Sequence, residues 1–464
     1  MPCIPRKRRV TRPPRATPLL AALLSLACVG PSRSYYEQRD AWDARAGAFA
    51  EAADGAATEA PAAPPALGPD AGLDELLARA LHVSPSLRGA AQQWKAALER
   101  VPQVGALPDP QVTFTYYLEE VQSRDGPLEW RVGLMQPLPW FGELDLADGA
   151  ALAEARAAGA RFEQARLDLQ ALVRNTWAEL AYIDAAITST RGVRELLLRW
   201  EGVARKRYAT GLGDEADVIR AQVELGQLDD RLRSLIDLRR PVGARLNAAL
   251  DRPVDTVIAS PGFGAASSQT LDEEALRVQL PSTAPTLSAL DHEVAAAEAR
   301  VQLADTGFYP RPSVGVDYTS VGKGGDDAIG LTAGLSIPIW RGRIRAGVAS
   351  AEATSIAKRA QRHEAGNRAA AELETLLFTL RDAGRREDLY RDTLVPKGHE
   401  SLAVVDVSYR AGQTDFLSLI DAQRVLLEFE LAVARARADI DQARAAVAAL
   451  TGVDLHAPNT ELSR

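Results

Sequence analysis

Residues 208–222 read YATGLGDEADVIRAQ, and residues 409–423 read YRAGQTDFLSLIDAQ. Both stretches carry a Tyr, a Gly three positions on, an Asp six on, an Ile eleven on, and Ala-Gln at thirteen and fourteen. The same offset of 200–202 relates SPSL at 84–87 to APTL at 284–287, LPDPQVTFTY at 107–116 to YPRPSVGVDY at 309–318, and QPLPWFG at 136–142 to SIPIWRG at 336–342. Repeats of about 20–50 residues make solenoids. A period near 200 in two copies instead predicts a duplicated unit with pseudo-two-fold construction, 73–252 and 273–452, joined by a connector at 253–272 and followed by a tail at 453–464.

Each copy has the same order of elements. An Ala-rich helix (73–106; 284–307) ends at prolines, and two alternating segments follow. Val112, Phe114, Tyr116 and Leu118 alternate with Thr113, Thr115, Tyr117 and Glu119, and Trp130, Val132 and Leu134 with Arg131, Gly133 and Met135. In the second copy Val314, Val316 and Tyr318 alternate with Gly315, Asp317 and Thr319, and Ile329, Leu331, Ala333, Leu335 and Ile337 with Gly330, Thr332, Gly334 and Ser336. Period two predicts strands, hence hairpins within 110–139 and 311–338, turning at the polar stretches 122–127 and 322–327.

No proline interrupts 140–240, and the turn signal in that tract is Gly211-Leu212-Gly213-Asp214. The tract therefore splits into helices of about 65 and 35 residues, and at ~1.5 Å per residue the longer reaches roughly 100 Å. Gly211 and Gly412 suit the left-handed position past a helix end, and Asp214 and Asp415 the N-cap of the next helix. The repeated signature is thus the tip of a helix hairpin. Leu426, Phe429, Val433, Ala436, Ile440, Ala443, Val447 and Leu450 step by three and four, as do Leu225, Leu228, Leu232, Leu235, Arg239, Val242, Leu246 and Ala249. Such seams predict antiparallel coiled coils, with Arg239 as the one exception to the apolar pattern.

The N-terminus is basic (Arg6, Lys7, Arg8, Arg9, Arg12, Arg15), then briefly apolar, reaching Cys28 through LSLAC. This predicts a secretion signal over 1–27, with Cys28 as the acylated first residue of a lipoprotein; ordinary cleavage that leaves Cys28 behind is the alternative. Residues 28–72 read as a tether, Pro/Ala-rich over 53–72. Cleavage leaves 48 of the 54 Lys and Arg against 62 Asp and Glu, a net charge of −14. That balance argues against nucleic acid or an anionic membrane surface as a partner.

Four strands cannot close a sheet, and an apolar sheet edge left open invites association. No segment is an apolar span of twenty residues, yet the strands have an apolar face and a polar, small-residue face, as transmembrane barrel strands do. Several chains pooling hairpins would close one barrel: two chains give eight strands, three give twelve. A soluble domain with each hairpin packed on a helix accommodates ~100 Å helices poorly.

The duplicated plan, LPDP before the first strand, QPLPWFG after the second, and the doubled Tyr-x-x-Gly…Asp…Ala-Gln tips resemble the TolC-type outer-membrane efflux factors over about 73–452. The resemblance implies an α+β membrane protein of Gram-negative bacteria. Each chain would give four strands to a trimeric 12-strand outer-membrane β-barrel, continued by a periplasmic α-helical coiled-coil barrel. It implies a homotrimer in outer-membrane lipid, working with a periplasmic adaptor and an inner-membrane pump, the RND type favoured. Carried over by position, the periplasmic gate falls on Asp217 and Tyr409, and the pore constriction on Asp421 and Ser418. Ser418 stands where the family has a second acid, and Thr414 where it has a gating Arg.

The implied function is the passive exit duct of a tripartite efflux system. Type I protein secretion uses the same duct, and a non-conducting, lipid-anchored coiled-coil envelope spacer is the alternative from another class. Catalysis is not expected. His82, His292, His363, His399 and His456 are scattered, no Cys/His ligand spacing occurs, and neither a nucleophile elbow nor a phosphate loop is present. No cofactor or metal is called for.

Overall fold

The computed structural model describes residues 32–47, 67–68, 70–259, 261–263, 271–453 and 455. Cys28, the signal segment and most of the linker lie outside the described residues. The described residues form two compact units: Ala97–Ala153 with Ala295–Ser355 and 32–39, and those of Asp40–Ala96 with those of Glu154–Val294 and 356–453.

The first unit is built on a sheet. Strands β1 (Gln111–Ser123), β2 (Gly126–Pro137), β3 (Arg311–Val321) and β4 (Ala328–Ser336) pair antiparallel in that order. β2 pairs with β3, so the hairpins of the two copies are joined to each other through the backbone. Register aligns Val112, Leu134, Val316 and Leu331 in one row, and Phe114, Val132, Tyr318 and Ile329 in the next. Successive side chains in a strand point to opposite faces, so these rows form one apolar face. It is bare: Val112 is 71 % exposed and Leu331 81 %.

On the other face Arg131 Nε donates to Thr319 Oγ1 (3.1 Å) and Thr332 Oγ1 to Asp317 Oδ1 (2.6 Å). Trp130 lies between Phe114 (6.4 Å between centroids) and Tyr318 (5.3 Å) on the apolar side. The first turn is tighter than the composition of 122–127 suggests. Ser123 pairs with Gly126 across Arg124 and Asp125, and Ser123 Oγ donates to the Gly126 carbonyl at 2.6 Å. A register shift between Tyr116 and Val121 bulges the edge strand β1.

Helix α1 (Arg33–Trp42) and a π turn (Asp43–Gly47) fall within the stretch read as a tether. Trp42 is buried and its Nε1 donates to the Ala91 carbonyl at 2.9 Å, with Lys95 Nζ 5.1 Å from the ring.

The segment read as one opening helix is two, α2 (Leu73–Val83) and α3 (Pro85–Val104). The second copy repeats the break with α6 (Glu273–Thr283) and α7 (Pro285–Asp305). Pro85 and Pro285 lack an N–H and start helices readily, so each becomes the first residue of a new one. That is the physical content of the SPSL and APTL match.

Helix α4 (Glu143–Ala209) runs unbroken for 67 residues and returns through α5 (Glu215–Ala249). In the second copy α8 (Arg341–Leu389) passes through a π turn, Tyr390–Leu394, into α9 (Val395–Arg410), and α10 (Phe416–Thr451) returns. Pro396 explains the difference. Its ring crowds the preceding turn, and the wider π turn relieves that clash; α4 contains no proline and needs no such relief.

Part of each seam is buried, at Leu228, Leu232, Leu246, Leu426, Ala436, Ala443 and Val447, while Leu225, Leu235, Phe429 and Ile440 are half-buried. The exceptional Arg239 is paired: its Nε and Nη2 reach the two oxygens of Asp184 on α4 at 2.7 and 3.2 Å, and Nη2 also donates to the Ile258 carbonyl at 3.0 Å. Trp94 on α3 packs on Phe162 of α4, ring centroids 5.7 Å apart. A methyl added at Gly159 would come within 2.9 Å of that indole. Helix propensity favours Ala over Gly by about 1 kcal/mol, but overpacking a full site costs about 1–3 kcal/mol. Gly159→Ala is therefore expected to lower the thermal unfolding midpoint. Gly192→Ala, in the same helix with nothing within 4 Å of its Cβ, should raise it. Equal gains in both variants would show that Trp94 yields without cost.

Candidate functional site

Both copies of the signature close their hairpins with the same backbone. Gly211 has φ +73° and Gly412 φ +76°, a region that only glycine enters freely. The Leu212 amide donates to the Arg207 carbonyl (2.8 Å) and the Gly211 amide to the Tyr208 carbonyl (3.0 Å). In the second copy Gln413 donates to Ser408 (2.9 Å) and Gly412 to Tyr409 (3.0 Å). Each pair of bonds satisfies carbonyls that a helix end otherwise leaves free, in the Schellman arrangement.

The side chains do not repeat. Tyr208 is 47 % exposed and Tyr409 only 2 %; Ile219 is 53 % exposed and Ile420 only 4 %. The second signature faces inward onto the core that both hairpins share, which includes Leu197, Trp200, Leu228, Phe416, Leu419 and Leu427. Asp214 and Asp415 both occupy N-cap positions. Only Asp415 caps with its side chain, accepting from the Ser418 amide (2.9 Å) and the Ser418 hydroxyl (2.6 Å). Those bonds hold the Asp415 carboxyl below its ordinary range, the hydroxyl contributing most.

Tyr409 ends α9 against Phe416, ring centroids 5.3 Å apart. Its hydroxyl is buried and finds no hydrogen-bond partner among the described residues. Burial, and secondarily the charge of Asp217, push the phenol pKa up. Asp217, in the first turn of α5, has Arg220 Nη1 3.7 Å from its Oδ1. Burial is the main cause that raises its pKa; Arg220 and Arg207 oppose the shift, while Asp214 and Asp415 add to it. Tyr409 and Asp217 are thus neighbours in one field, with no hydrogen bond joining them.

Ser418 is tied back to Asp415, whereas Asp421 is exposed and lies 3.9 Å from Arg424 Nη1. The same arginine forks onto Glu224 of α5: Nε is 3.1 Å from both carboxylate oxygens, and Nη2 bonds Oε2 as well. Glu224 is buried while Arg424 is about half exposed, so this pair crosses between the two hairpins at the edge of the packed core. A second crossing runs from Trp200 Nε1 to Asp406 Oδ1 at 3.0 Å.

Arg207, Glu224, Arg424 and Asp406 escaped the sequence reading. The duplication offset maps them to Ser408, Val425, Val223 and Arg205, so a search for repeated residues passes over them. The available signal was the basic pair Lys206-Arg207 in the last helical turn, a position that suits cations.

The unequal caps predict unequal effects. Asp415→Ala should weaken hydrogen-exchange protection at the start of α10 more than Asp214→Ala does at the start of α5. Because the folded pKa of Asp415 is depressed, the cap's contribution is present above the unfolded value and lost as pH falls through the folded one. Wild type and Asp415→Ala should therefore converge in acid. A difference that persists there would assign the effect to something other than the carboxylate.

The outer membrane efflux protein family model matches residues 76–241 and 276–453. The pyoverdine export outer membrane protein OpmQ of Pseudomonas putida is 28 % identical over 176 residues. That alignment spans 37 % of this chain and 37 % of the length of OpmQ. The solved structure of VceC from Vibrio cholerae superposes with a TM-score of 0.70 at 21 % identity, over 82 % of this chain and 96 % of that one. The outer-membrane channel OprN gives 0.71 at 20 %, over 82 % and 89 %. These two share the fold. Two matched segments, one over each copy, make the chain a member of the outer membrane efflux protein family.

Proposed function

We propose that three copies of this chain close a 12-strand barrel in the outer membrane, continued by a helical duct in the periplasm. Through it an inner-membrane pump, of the RND type, and a periplasmic adaptor export their substrate. The observation that carries this reading is the open four-strand sheet: among the described residues β1 and β4 have no outer neighbour, and the apolar face is bare. Among the described residues no helix is long and apolar enough to cross a membrane, so a membrane span would rest on the strands. Full closure removes edges and places the apolar rows against lipid, with the Arg131, Asp317 and Thr332 face toward the lumen.

The duct works without chemistry, and conduction is governed at the tips. Tyr409 and Asp217 form the gate, and Asp421 and Ser418 line the narrowest point. Three Asp421 carboxylates across a narrow pore favour cations, and the exposure of this side chain supports that assignment. Acylation at Cys28 would add a lipid anchor.

Planar-bilayer conductance of the purified mature protein tests the reading. The wild type is expected to conduct little, and the double variant Tyr409→Phe with Asp217→Ala several-fold more. A membrane-inserted oligomer with no conductance in either form would favour the envelope spacer. In the same bilayers Asp421→Ala should weaken block by multivalent cations; unchanged block would remove Asp421 from the constriction.

A further inference from the structure

We propose that Arg207 is the latch that holds the tip of the second helix hairpin onto the first within one protomer, a positioning residue for the gate; the proposal rests on the reading of Tyr409 and Asp217 as that gate. Arg207 lies in the last turn of α4, in the first copy. Its Nη1 donates to the Tyr409 carbonyl of the second copy at 2.6 Å, and its Nη2 to the Leu212 carbonyl of its own loop at 3.2 Å. The guanidinium carbon also stands 5.1 Å from the centre of the Tyr409 ring. One planar group thus fixes the backbone and the ring of Tyr409 while clamped to its own hairpin.

The environment suits a cation there and little else. The Tyr409 carbonyl is near the end of α9, where free carbonyls concentrate negative potential. It already accepts from the Gly412 amide at 3.0 Å, and a carbonyl has a second lone pair for Arg207. A Cβ at Gly213 would come within 2.9 Å of Arg207 Cβ, and one at Gly412 within 3.4 Å of its Nη2. The glycines of both tips therefore leave the room that this side chain fills. The fork needs two acceptors in its plane, which an ammonium cannot match.

The latch is not duplicated. The position 201 residues on is Ser408, and Tyr208, the counterpart of Tyr409, is half exposed. Arg207 holds the second tip and not the first, so its release loosens the end of α9 at Tyr409 while the backbone bonds of the first hairpin's own turn remain.

The test compares Arg207→Ala, Arg207→Lys and Arg205→Ala with wild type and with the Tyr409→Phe, Asp217→Ala double variant, all as full-length oligomers in planar bilayers. Arg205 is exposed on the same helix and pairs with Glu201, so it reports loss of a surface arginine alone. Arg207→Ala is expected to raise conductance several-fold, close to the double variant, with Arg207→Lys between and Arg205→Ala at the wild-type level. Closed Arg207→Ala channels beside an open double variant would overturn the latch and leave the gate standing. If the wild type is already open and the double variant changes nothing, the gate reading fails instead. Hydrogen exchange at the 409–413 amides then decides the latch alone: faster exchange in Arg207→Ala but not in Arg205→Ala supports it, and unchanged exchange overturns it.

Discussion

Backbone pairing between β2 and β3 is the constraint on which the architecture depends. It converts two separate hairpins, each marginal alone, into one four-strand sheet with a continuous apolar face and two free edges. Such a sheet is not a resting point for an isolated chain, because unpaired edge groups and bare apolar rows both seek partners. The exposed rows from Val112 to Leu331 and from Phe114 to Ile329 are what the proposed barrel would cover with lipid.

The second unit solves a different problem. Long helices of low propensity contrast hold together only by what their seams bury, and polar groups within a seam need partners. Arg239 finds Asp184, Arg424 finds Glu224, and Trp200 finds Asp406. Two of these three ties join the first hairpin to the second and sit near the tips. Glu224 is buried, so losing Arg424 would leave its charge unpaired, which makes that tie effective in fixing which hairpin packs on which.

Duplication here preserved the backbone and released the side chains. Gly211 and Gly412 perform one geometric task twice, because a reversal at a helix end demands positive φ regardless of surroundings. Around that shared turn Tyr208 faces solvent and Tyr409 is buried, and Asp415 caps its helix with a side chain while Asp214 does not. A pseudo-symmetric scaffold with asymmetric contacts lets one tip be held while the other serves as the holder.

The sequence by itself determined the duplication, the hairpins, the long helices and the turns, because period-two and heptad patterns, glycine at helix ends and the absence of proline all act locally. It also marked the seams, and it marked Arg239 as their exception without naming Asp184. Proline acted locally too, but its outcome depended on place: Pro85 and Pro285 start helices, while Pro396 is absorbed by a π turn. The tertiary structure alone decided the pairing of β2 with β3, the burial of one signature tyrosine and not the other, and the meeting of Arg207 with the Tyr409 carbonyl. The strand pairing and the Arg207 contact join residues far apart in the chain, and a backbone carbonyl leaves no trace in a side-chain pattern.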